Sequence, residues 1–361
     1  MPNRPSFRFP LLLLVLLTGL SSCTEDIQQT LQPTPAAFGR INSLVVLGDS
    51  SLWLNGASDS VAFFFEAPYI ILPQPEPIFD VRFLEPERLA AEPTWQQLRN
   101  YVVLADLSDT DSPTTKMVLT DMNDAKLQQV KTEGFGTAVA NNKWATGQQL
   151  IYMMGRNRQE LLAGMSTVYP AVVKRLQARE DERLRVTTYF EGINRRLSDT
   201  IKTVTGARID LPGGYVRVPL NDDDLVWLRR EVQGASLNIV VASVPYENQS
   251  QLTKEGLKAI LDDFGREYVS SSIADTYMKV NDKDLPLFVE NTELNGKFAL
   301  EGRGIWEMEN DFLAGPFVSY LINDEADRQL VLVDAFVYAP GRKKRDLMEE
   351  LVQVIRTVDV D

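Results

Sequence analysis

The sequence predicts an α+β protein made of two sandwich-like halves with mainly antiparallel sheets. Short apolar runs, several with strand-like alternation, recur between amphipathic helical segments along the whole chain. The polar segment Asn323–Asp327 is typical of a hairpin loop between the last two strands. A faint similarity between the two halves also indicates a possible internal duplication.

The first half begins with a buried strand at Leu44–Leu47, ahead of Gly48, and a helix over Ser51–Ala67. Four prolines then predict an extended passage through Leu72–Pro77. The remaining elements are predicted from alternation and from helical spacing: strands at Phe79–Phe83, Tyr101–Leu104 and Gln149–Gly155, a helix at Asn123–Thr132, and a long amphipathic helix from Leu161 towards Arg185.

The second half has two predicted helices before its final group of strands. These are Ile193–Thr203 and Thr253–Ser270, and a closing helix follows at Lys343–Thr357. Its basic start, Lys343-Lys344-Arg345, is interpreted as solvent-exposed. Strands are predicted near Tyr215–Val218, Val226–Leu228, Asn238–Val241, Phe298–Ile305, Phe317–Ile322 and Leu330–Tyr338.

The possible duplication rests on a repeated order of short motifs. A Leu-Pro pair, an alternating strand and an Asn-led apolar strand occur in both halves, and the Pro-to-Asn separations differ by only one residue. Coincidence among short apolar strands explains the match about equally well. The predicted domains are residues 39–191 and 192–361, which meet near Glu191-Gly192.

The amino terminus predicts a lipoprotein signal peptide over residues 1–22. Arg4 and Arg8 precede a leucine-rich run that is too short to span a bilayer. Leu20–Cys23 resembles the lipobox of lipoprotein signal peptidase, so Cys23 is the expected site of diacylglycerol and palmitate attachment. The competing interpretation is an ordinary secretory peptide with an incidental cysteine.

Residues 23–38 are rich in Gln, Thr and Pro and are predicted to form a flexible tether. The residue after Cys23 is Thr24 rather than Asp, which resembles outer-membrane sorting. We therefore expect a lipid-anchored protein of the cell envelope, at the periplasmic or the surface face of the outer membrane. The membrane, reached through the diacylglyceryl cysteine, is its first expected partner.

Composition excludes several kinds of chemistry. The chain carries a net charge of -13 at pH 7, and removal of residues 1–22 makes it more acidic, so nucleic acid is not an expected partner. It contains 0 histidines and 1 cysteine. The usual neutral-pH general base is therefore missing, and if Cys23 is lipidated no thiol remains for catalysis or metal binding. We expect no cofactor and no metal site.

Three weaker motifs suggest activities. Gly48–Leu52 resembles the serine block of GDSL esterases but lacks their histidine, so Asp49-Ser50 is interpreted as a helix cap. Two groups of aspartates, Asp106/Asp109/Asp111 and Asp222–Asp224, could offer oxygen ligands to calcium, although acidic turns are common in so negative a chain. A third set, Glu301, Glu307 and Asp311 around Trp306, suits a sugar site, against the simpler view that Trp306 is part of the core.

The chain resembles a family of uncharacterised bacterial envelope lipoproteins, known only as a domain of unknown function. The resemblance covers nearly the whole mature chain and implies one co-folded body without an established activity. It is carried by Leu72–Pro77 with Phe79-Asp80, Arg99-Asn100, Trp144-Ala145 with Gln148-Gln149, Val226–Arg230, Asn238–Val240, Pro245-Tyr246, Gly304–Trp306, Asn310–Phe312 and Gly315–Phe317.

Together these patterns favour a non-catalytic binding or assembly role over an enzymatic one. The expected partner is another envelope protein or a small ligand held between the two halves. The alternative is a carboxylate-dependent hydrolase acting on envelope glycans. No catalytic residue is assigned, and the candidate surface residues are Trp144, Trp227, Arg303, Trp306 and Asp311.

Overall fold

Each half of the protein is built around its own sheet, and the α+β class is confirmed. The computed structural model describes residues 34–220, 223–326 and 328–360. Within them, no helix combines the length and the apolar character that crossing a bilayer requires. The predicted signal peptide and Cys23 lie outside the described residues.

The N-terminal half is a three-layer sandwich. Its elements are β1 Ser43–Leu47, α1 Ser50–Leu52, a π-helical turn Trp53–Ala57, α2 Ser58–Phe65, β2 Asp80–Leu84, α3 Pro86–Ala91, β3 Asn100–Asp106, α4 Pro113–Asp121, α5 Asp124–Glu133, β4 Phe135–Asn141, β5 Gln149–Gly155 and α6 Arg158–Thr188. The sheet has the order β2-β1-β3-β5-β4, in which only β4 runs antiparallel to its neighbour. Helices α2 and α6 cover one face, and α3, α4 and α5 cover the other.

The C-terminal half is a twisted antiparallel sheet with helices on both faces. Its elements are α7 Arg195–Thr205, β6 Ala207–Arg208, β7 Val216–Arg217, β8 Leu225–Val232, β9 Ala235–Pro245, α8 Lys254–Tyr268, β10 Tyr277–Asn281, β11 Phe288–Leu294, β12 Lys297–Glu309, β13 Ala314–Asp324, β14 Gln329–Tyr338, α9 Arg345–Ile355 and β15 Asp359–Val360. The strand order is β10-β12-β13-β14-β9-β8-β7, and β11 also pairs with β12. Helices α7 and α9 pack on one face, and α8 packs on the other.

The mainly antiparallel expectation therefore holds for the second sheet and not for the first. In β3 every residue but the last is buried, and β5 is buried throughout, because helices cover both faces of the first sheet. Unbroken apolar runs of this kind are typical of parallel strands. The two halves do not share a strand order, so the structure gives the predicted duplication no support.

The last residues of the predicted tether are part of the folded body. The amides of Ala37 and Phe38 donate to the carbonyls of Thr146 and Gln97, at 2.8 Å and 2.9 Å. The Thr146 amide in turn donates to the carbonyl of Pro35 at 2.8 Å. These bonds hold the chain against the N-terminal half from Pro35 onwards.

A proline-rich segment of the N-terminal half reaches into the C-terminal half. We call residues 68–77 the proline finger. Its base is closed by a bridge between Pro68 and Pro77 and by the Tyr69 amide, which donates to the Glu76 carbonyl at 2.7 Å. Leu72 near its tip is 4% exposed and belongs to the core of the C-terminal half.

The carboxylate of Glu76 caps α9 from the other half of the protein. It accepts the amides of Lys344 and Arg345 at 2.6 Å and 3.2 Å, and α9 has no side-chain cap of its own. A carboxylate at this end satisfies free amides and complements the helix dipole. Because Glu76 is 7% exposed, water competes poorly for these bonds.

The expectation that Lys343–Arg345 is solvent-exposed is wrong for two of its three residues. Arg345 is 1% exposed, and its guanidinium donates to the Pro77 carbonyl at 2.6 Å and to Asp80 at 2.8 Å. Lys344 is 5% exposed, and only Lys343 remains outside. The basic residues are buried because the finger and β2 supply acceptors that the local sequence does not reveal.

We predict that Glu76→Gln lowers the free energy of unfolding by about 2 kcal/mol, because two amides of α9 lose a charged, buried acceptor. Chemical denaturation at pH 7 measures the change. The control is Glu66→Gln, which alters an exposed carboxylate on the preceding segment. Equal stability of the two variants would contradict the proposed cap.

Candidate functional site at the seam between the halves

A polar cavity of about 220 Å³ lies where the two halves meet. We call it the seam pocket. Four charged side chains and the Tyr69 phenol dominate its lining. The lining residues are Asn42, Tyr69, Gln177, Asp181, Arg303, Glu349, Val352, Gln353 and Arg356.

Both halves position these side chains. The N-terminal half supplies Asn42 ahead of β1, Tyr69 in the finger and Asp181 on α6. The C-terminal half supplies Arg303 from β12 and Glu349 from α9. Since α6 extends beyond its own sheet and packs against α9, the two helices bring the acidic residues to one place.

Asn42 ties the pocket wall together. It adopts a left-handed backbone conformation with φ 58°, which asparagine tolerates better than most residues. Its backbone N–H donates to the Glu180 carboxylate at 3.0 Å, and its side-chain Nδ2 donates to the Glu349 carboxyl group at 2.5 Å. Glu180, 2% exposed, also accepts from Asn100 at 2.7 Å. The start of β1, α6 and α9 are thereby locked to one another.

The two carboxyl groups of the pocket hold their protons unusually tightly. Burial raises the pKa of Glu349 to about 7, although the Asn42 hydrogen bond and Arg345 oppose the shift. Burial also raises the pKa of Asp181, against the opposing charge of Arg356 and a hydrogen bond from Gln353. Perturbed acids in a cleft are typical of functional sites.

Basic and phenolic groups face these acids. Burial disfavours the charge on Arg303, but Glu301 and Tyr69 favour it, and the net pKa of Arg303 is raised. Burial raises the pKa of the Tyr69 phenol to about 12, so it stays a neutral donor. Arg356 is exposed and donates to the Tyr320 hydroxyl at 3.5 Å.

The lining therefore contains two acids and two bases around a small volume. Such a pocket can pair a positive group of a ligand with Asp181 or Glu349 and a negative group with Arg303 or Arg356. The arginine fork suits a carboxylate in particular. The geometry fits a small molecule that carries both charges.

The two family matches meet at the segment that joins the halves, between residues 188 and 194. Residues 37–188 match Domain of unknown function (DUF8532), and residues 194–357 match Domain of unknown function (DUF4837). Each half of the chain thus matches a family model of a domain of unknown function, and we call the two parts the DUF8532 half and the DUF4837 half. The pocket is built jointly by the DUF8532 half and the DUF4837 half.

Similarity to other proteins adds little. No curated protein matches the chain. Among solved structures, the Ran-binding protein Mog1p of Saccharomyces cerevisiae is 10% identical, with a TM-score of 0.29, over 43% of this chain and 90% of that one. The lipid transfer and protein localization domain of human StarD13 (DLC2) is 13% identical, with a TM-score of 0.22, over 40% of this chain and 89% of that one.

The DUF8532 half has a second crevice, at the carboxyl ends of its parallel strands. It lies where β1 and β3 lead to helices on opposite faces, a common ligand position in such sheets, and its volume is about 440 Å³. Its central acid is already engaged. Asp49 accepts the Thr114 hydroxyl at 3.0 Å and its amide at 3.3 Å, and also the Ser112 hydroxyl. Asp49 therefore makes no side-chain cap to α1 and instead bonds the first turn of α4.

The predicted surface residues do not gather at one site. Only Arg303 lines the seam pocket. Trp306 is 5% exposed in the core of the DUF4837 half, and Trp227 packs in the same core with its indole N–H bonded to Asn238 at 3.1 Å. Trp144 packs on Tyr101 in the DUF8532 half, 5.5 Å between ring centroids. Asp311 accepts the Phe312 amide at 2.7 Å in the turn between β12 and β13.

Strand alternation explains why the suggested sugar site does not form. Glu301 and Glu307 are odd-numbered residues of β12, whereas Trp306 is even-numbered, and successive side chains of a strand point to opposite faces. Trp306 joins the core beneath α8. Glu301 pairs with Arg303, and Glu307 pairs with Lys279 at 3.4 Å.

The aspartate groups form no cation site in the described part of the chain, where no cluster of three or more potential ligands is found. Asp106 accepts the Ser108 amide at 2.9 Å, and Asp109 accepts the Asp111 amide at 3.2 Å. These bonds are typical of aspartate in turns. Asp222 lies outside the described residues.

Sequence reasoning missed the four ionisable groups of the pocket other than Arg303, which are Tyr69, Asp181, Glu349 and Arg356. One signal was present. Arg345, Glu349, Val352 and Arg356 recur at three- and four-residue steps, so they share one stripe of α9. Asp181 lies in a run of charged residues on α6, where nothing marks it as the one that lines a cavity.

The raised pKa of Glu349 predicts how stability varies with pH. A carboxyl whose pKa is higher in the folded than in the unfolded state stabilises the fold at low pH, and this contribution is lost as pH rises through about 7. Between pH 4.5 and pH 8, we predict that the free energy of unfolding falls by up to about 3 kcal/mol less in Glu349→Gln than in the unaltered chain. Chemical denaturation at several pH values measures it.

Asp334, buried in the DUF4837 sheet beside Ser319 with its pKa raised to about 7, shifts stability in the same direction. The comparison is therefore between Glu349→Gln and the unaltered chain, with Asp334 present in both. Asp263→Asn on α8, whose side chain is 78% exposed, is the control. An unchanged pH profile in Glu349→Gln would contradict the assignment.

Proposed function

We propose that the protein is a lipid-anchored envelope protein whose body binds a small zwitterionic ligand in the seam pocket. The observation that carries the proposal is the balanced lining of the pocket, with Asp181 and Glu349 opposite Arg303 and Arg356. In this role the protein is non-catalytic. The partners are the membrane, through acylated Cys23, and the ligand, with no nucleic acid and no cofactor.

The size of the pocket supports a small ligand. A volume of about 220 Å³ suits a molecule of about the size of an amino acid. The hydrogen bonds from Asn42 to Glu349 and from Gln353 to Asp181 orient the lining before a ligand arrives. Such preorganisation lowers the entropy cost of binding.

A panel of free amino acids tests the proposal by isothermal titration calorimetry. We expect at least one zwitterion to bind and Arg356→Gln to weaken it about tenfold or more, because a charge-assisted bond to a carboxylate is lost. Arg303→Lys keeps the charge but removes the fork, so we expect a similar loss.

Arg196→Gln, an exposed arginine on α7, is the control and leaves the affinity unchanged. Absence of binding by every amino acid would overturn the proposed ligand class. Equal affinity of Arg356→Gln and Arg303→Lys to the unaltered chain would overturn the site.

A hydrolase of envelope glycans is the second candidate. One observation favours it: two carboxyl groups with raised pKa, Asp181 and Glu349, line the same pocket. Incubation with purified peptidoglycan and chromatography of the products decide the matter. Released fragments that disappear in both Asp181→Asn and Glu349→Gln would favour hydrolysis over binding.

The lipid anchor is proposed on the sequence Leu20–Cys23 and on the short apolar run before it. We predict that growth with radiolabelled palmitate labels the protein and that Cys23→Ser abolishes the label and releases the protein from the membrane fraction. The chain has 1 cysteine, so no other thiol can take the label. Unlabelled protein that retains Met1 in the cytosolic fraction would contradict the anchor.

A further inference from the structure

Another cavity, separate from the seam pocket and from the crevice of the DUF8532 half, lies beside the segment that joins the two halves. We call it the linker pocket. Its volume is about 420 Å³, and the lining side chains that matter here are Thr188, Phe190, Glu191, Arg230, Val232 and Glu350. The first three belong to the end of α6 and the segment after it, Arg230 and Val232 to β8, and Glu350 to α9.

Two polar atoms of this lining are buried without a hydrogen-bond partner among the described residues: the Thr188 hydroxyl and Nε of Arg230. Thr188 is only 9% exposed. Behind Arg230, whose Cζ lies 5.2 Å from the ring centroid of Tyr215, the Tyr215 hydroxyl is a third buried atom without a partner. Buried polar groups are normally paired, and an unpaired one costs free energy that a ligand or water can return.

The charges of the linker pocket disfavour an anion. Arg230 is its one base, and Nη2 of Arg230 already pairs with Glu350. Glu191 adds a second acid, so the lining has a net negative charge. A ligand that uses the free Nε of Arg230 must therefore offer a neutral acceptor, such as a hydroxyl or amide oxygen.

One side of the pocket is apolar. Phe190 is 86% exposed, and Val232 and Leu184 lie in the same lining. An aromatic ring presented to solvent beside unpaired hydrogen-bonding groups matches a ligand with one apolar face and hydroxyls at its edge. Sugar rings have this combination.

We propose that the linker pocket binds a neutral saccharide unit, with the apolar face of the sugar on Phe190 and its hydroxyls bonded to Thr188 and Arg230. This site is additional to the seam pocket. Its lining includes none of the seam-pocket side chains.

Saturation-transfer NMR and calorimetry with the full-length chain, in a detergent without a sugar headgroup, test the proposal. The probes are maltotriose, cellotriose and tri-N-acetylchitotriose, with trigalacturonate as the anionic comparison. We expect at least one neutral probe to bind and the anionic probe to bind more weakly or not at all.

Thr188→Val is the decisive variant, because it keeps the shape of the side chain and removes only the hydroxyl. We expect it to weaken saccharide binding about tenfold while the ligand-free protein is as stable as before or slightly more so, since an unpaired buried hydroxyl is removed. Phe190→Ala weakens binding about tenfold, whereas Phe63→Ala, 74% exposed on α2, leaves it unchanged.

Failure of all three neutral probes to bind the unaltered chain would overturn the proposal. A clear loss of stability in ligand-free Thr188→Val would also overturn it, because the hydroxyl would then have a structural partner. Arg356→Gln separates the two sites: saccharide binding persists in this variant whether or not the seam pocket binds a zwitterion.

Discussion

The arrangement of the whole molecule depends on one carboxylate, that of Glu76, at the start of α9. The proline finger carries this group out of the DUF8532 half and places it on the free amides of a helix in the DUF4837 half. Arg345 closes the same junction by bonding Pro77 and Asp80. A helix without a side-chain cap of its own and a buried cation whose own helix offers only Asp346 are satisfied together, so each half completes the other.

The electrostatics of the seam pocket follow from this junction. Once α9 is fixed against α6, Glu349 is half-buried and Asp181 is partly desolvated at the edge of the pocket, and this desolvation raises the pKa of both. Arg303 and Arg356 arrive from β12 and the end of α9, so the pocket gains bases without losing its acids. Neither half alone brings these four groups together. The proposed ligand site therefore exists only when the two halves of the chain are packed together.

Much of the fold could be predicted from sequence because local patterns suffice for it. Gln149–Gly155 was predicted with the bounds that β5 has, and α6 followed from apolar residues at helical steps. Strand β4, with Gly136 and two alanines, was missed because small residues give little alternation. Of the candidate surface residues, Arg303 lines the seam pocket. Trp306 instead packs in the core, because its large ring gains the most when it is buried.

The sequence by itself determined the element types, the acidic charge, and the absence of histidine, which removes the commonest general base. Composition and periodicity are local properties, and no fold can change them. Only the tertiary structure decided that the first sheet is mainly parallel, that Lys344 and Arg345 are buried, and that Glu349 and Thr188 line two different cavities. Burial and pairing depend on residues up to 307 positions apart, as in the bond from Asn42 to Glu349, and a local pattern carries no record of such neighbours.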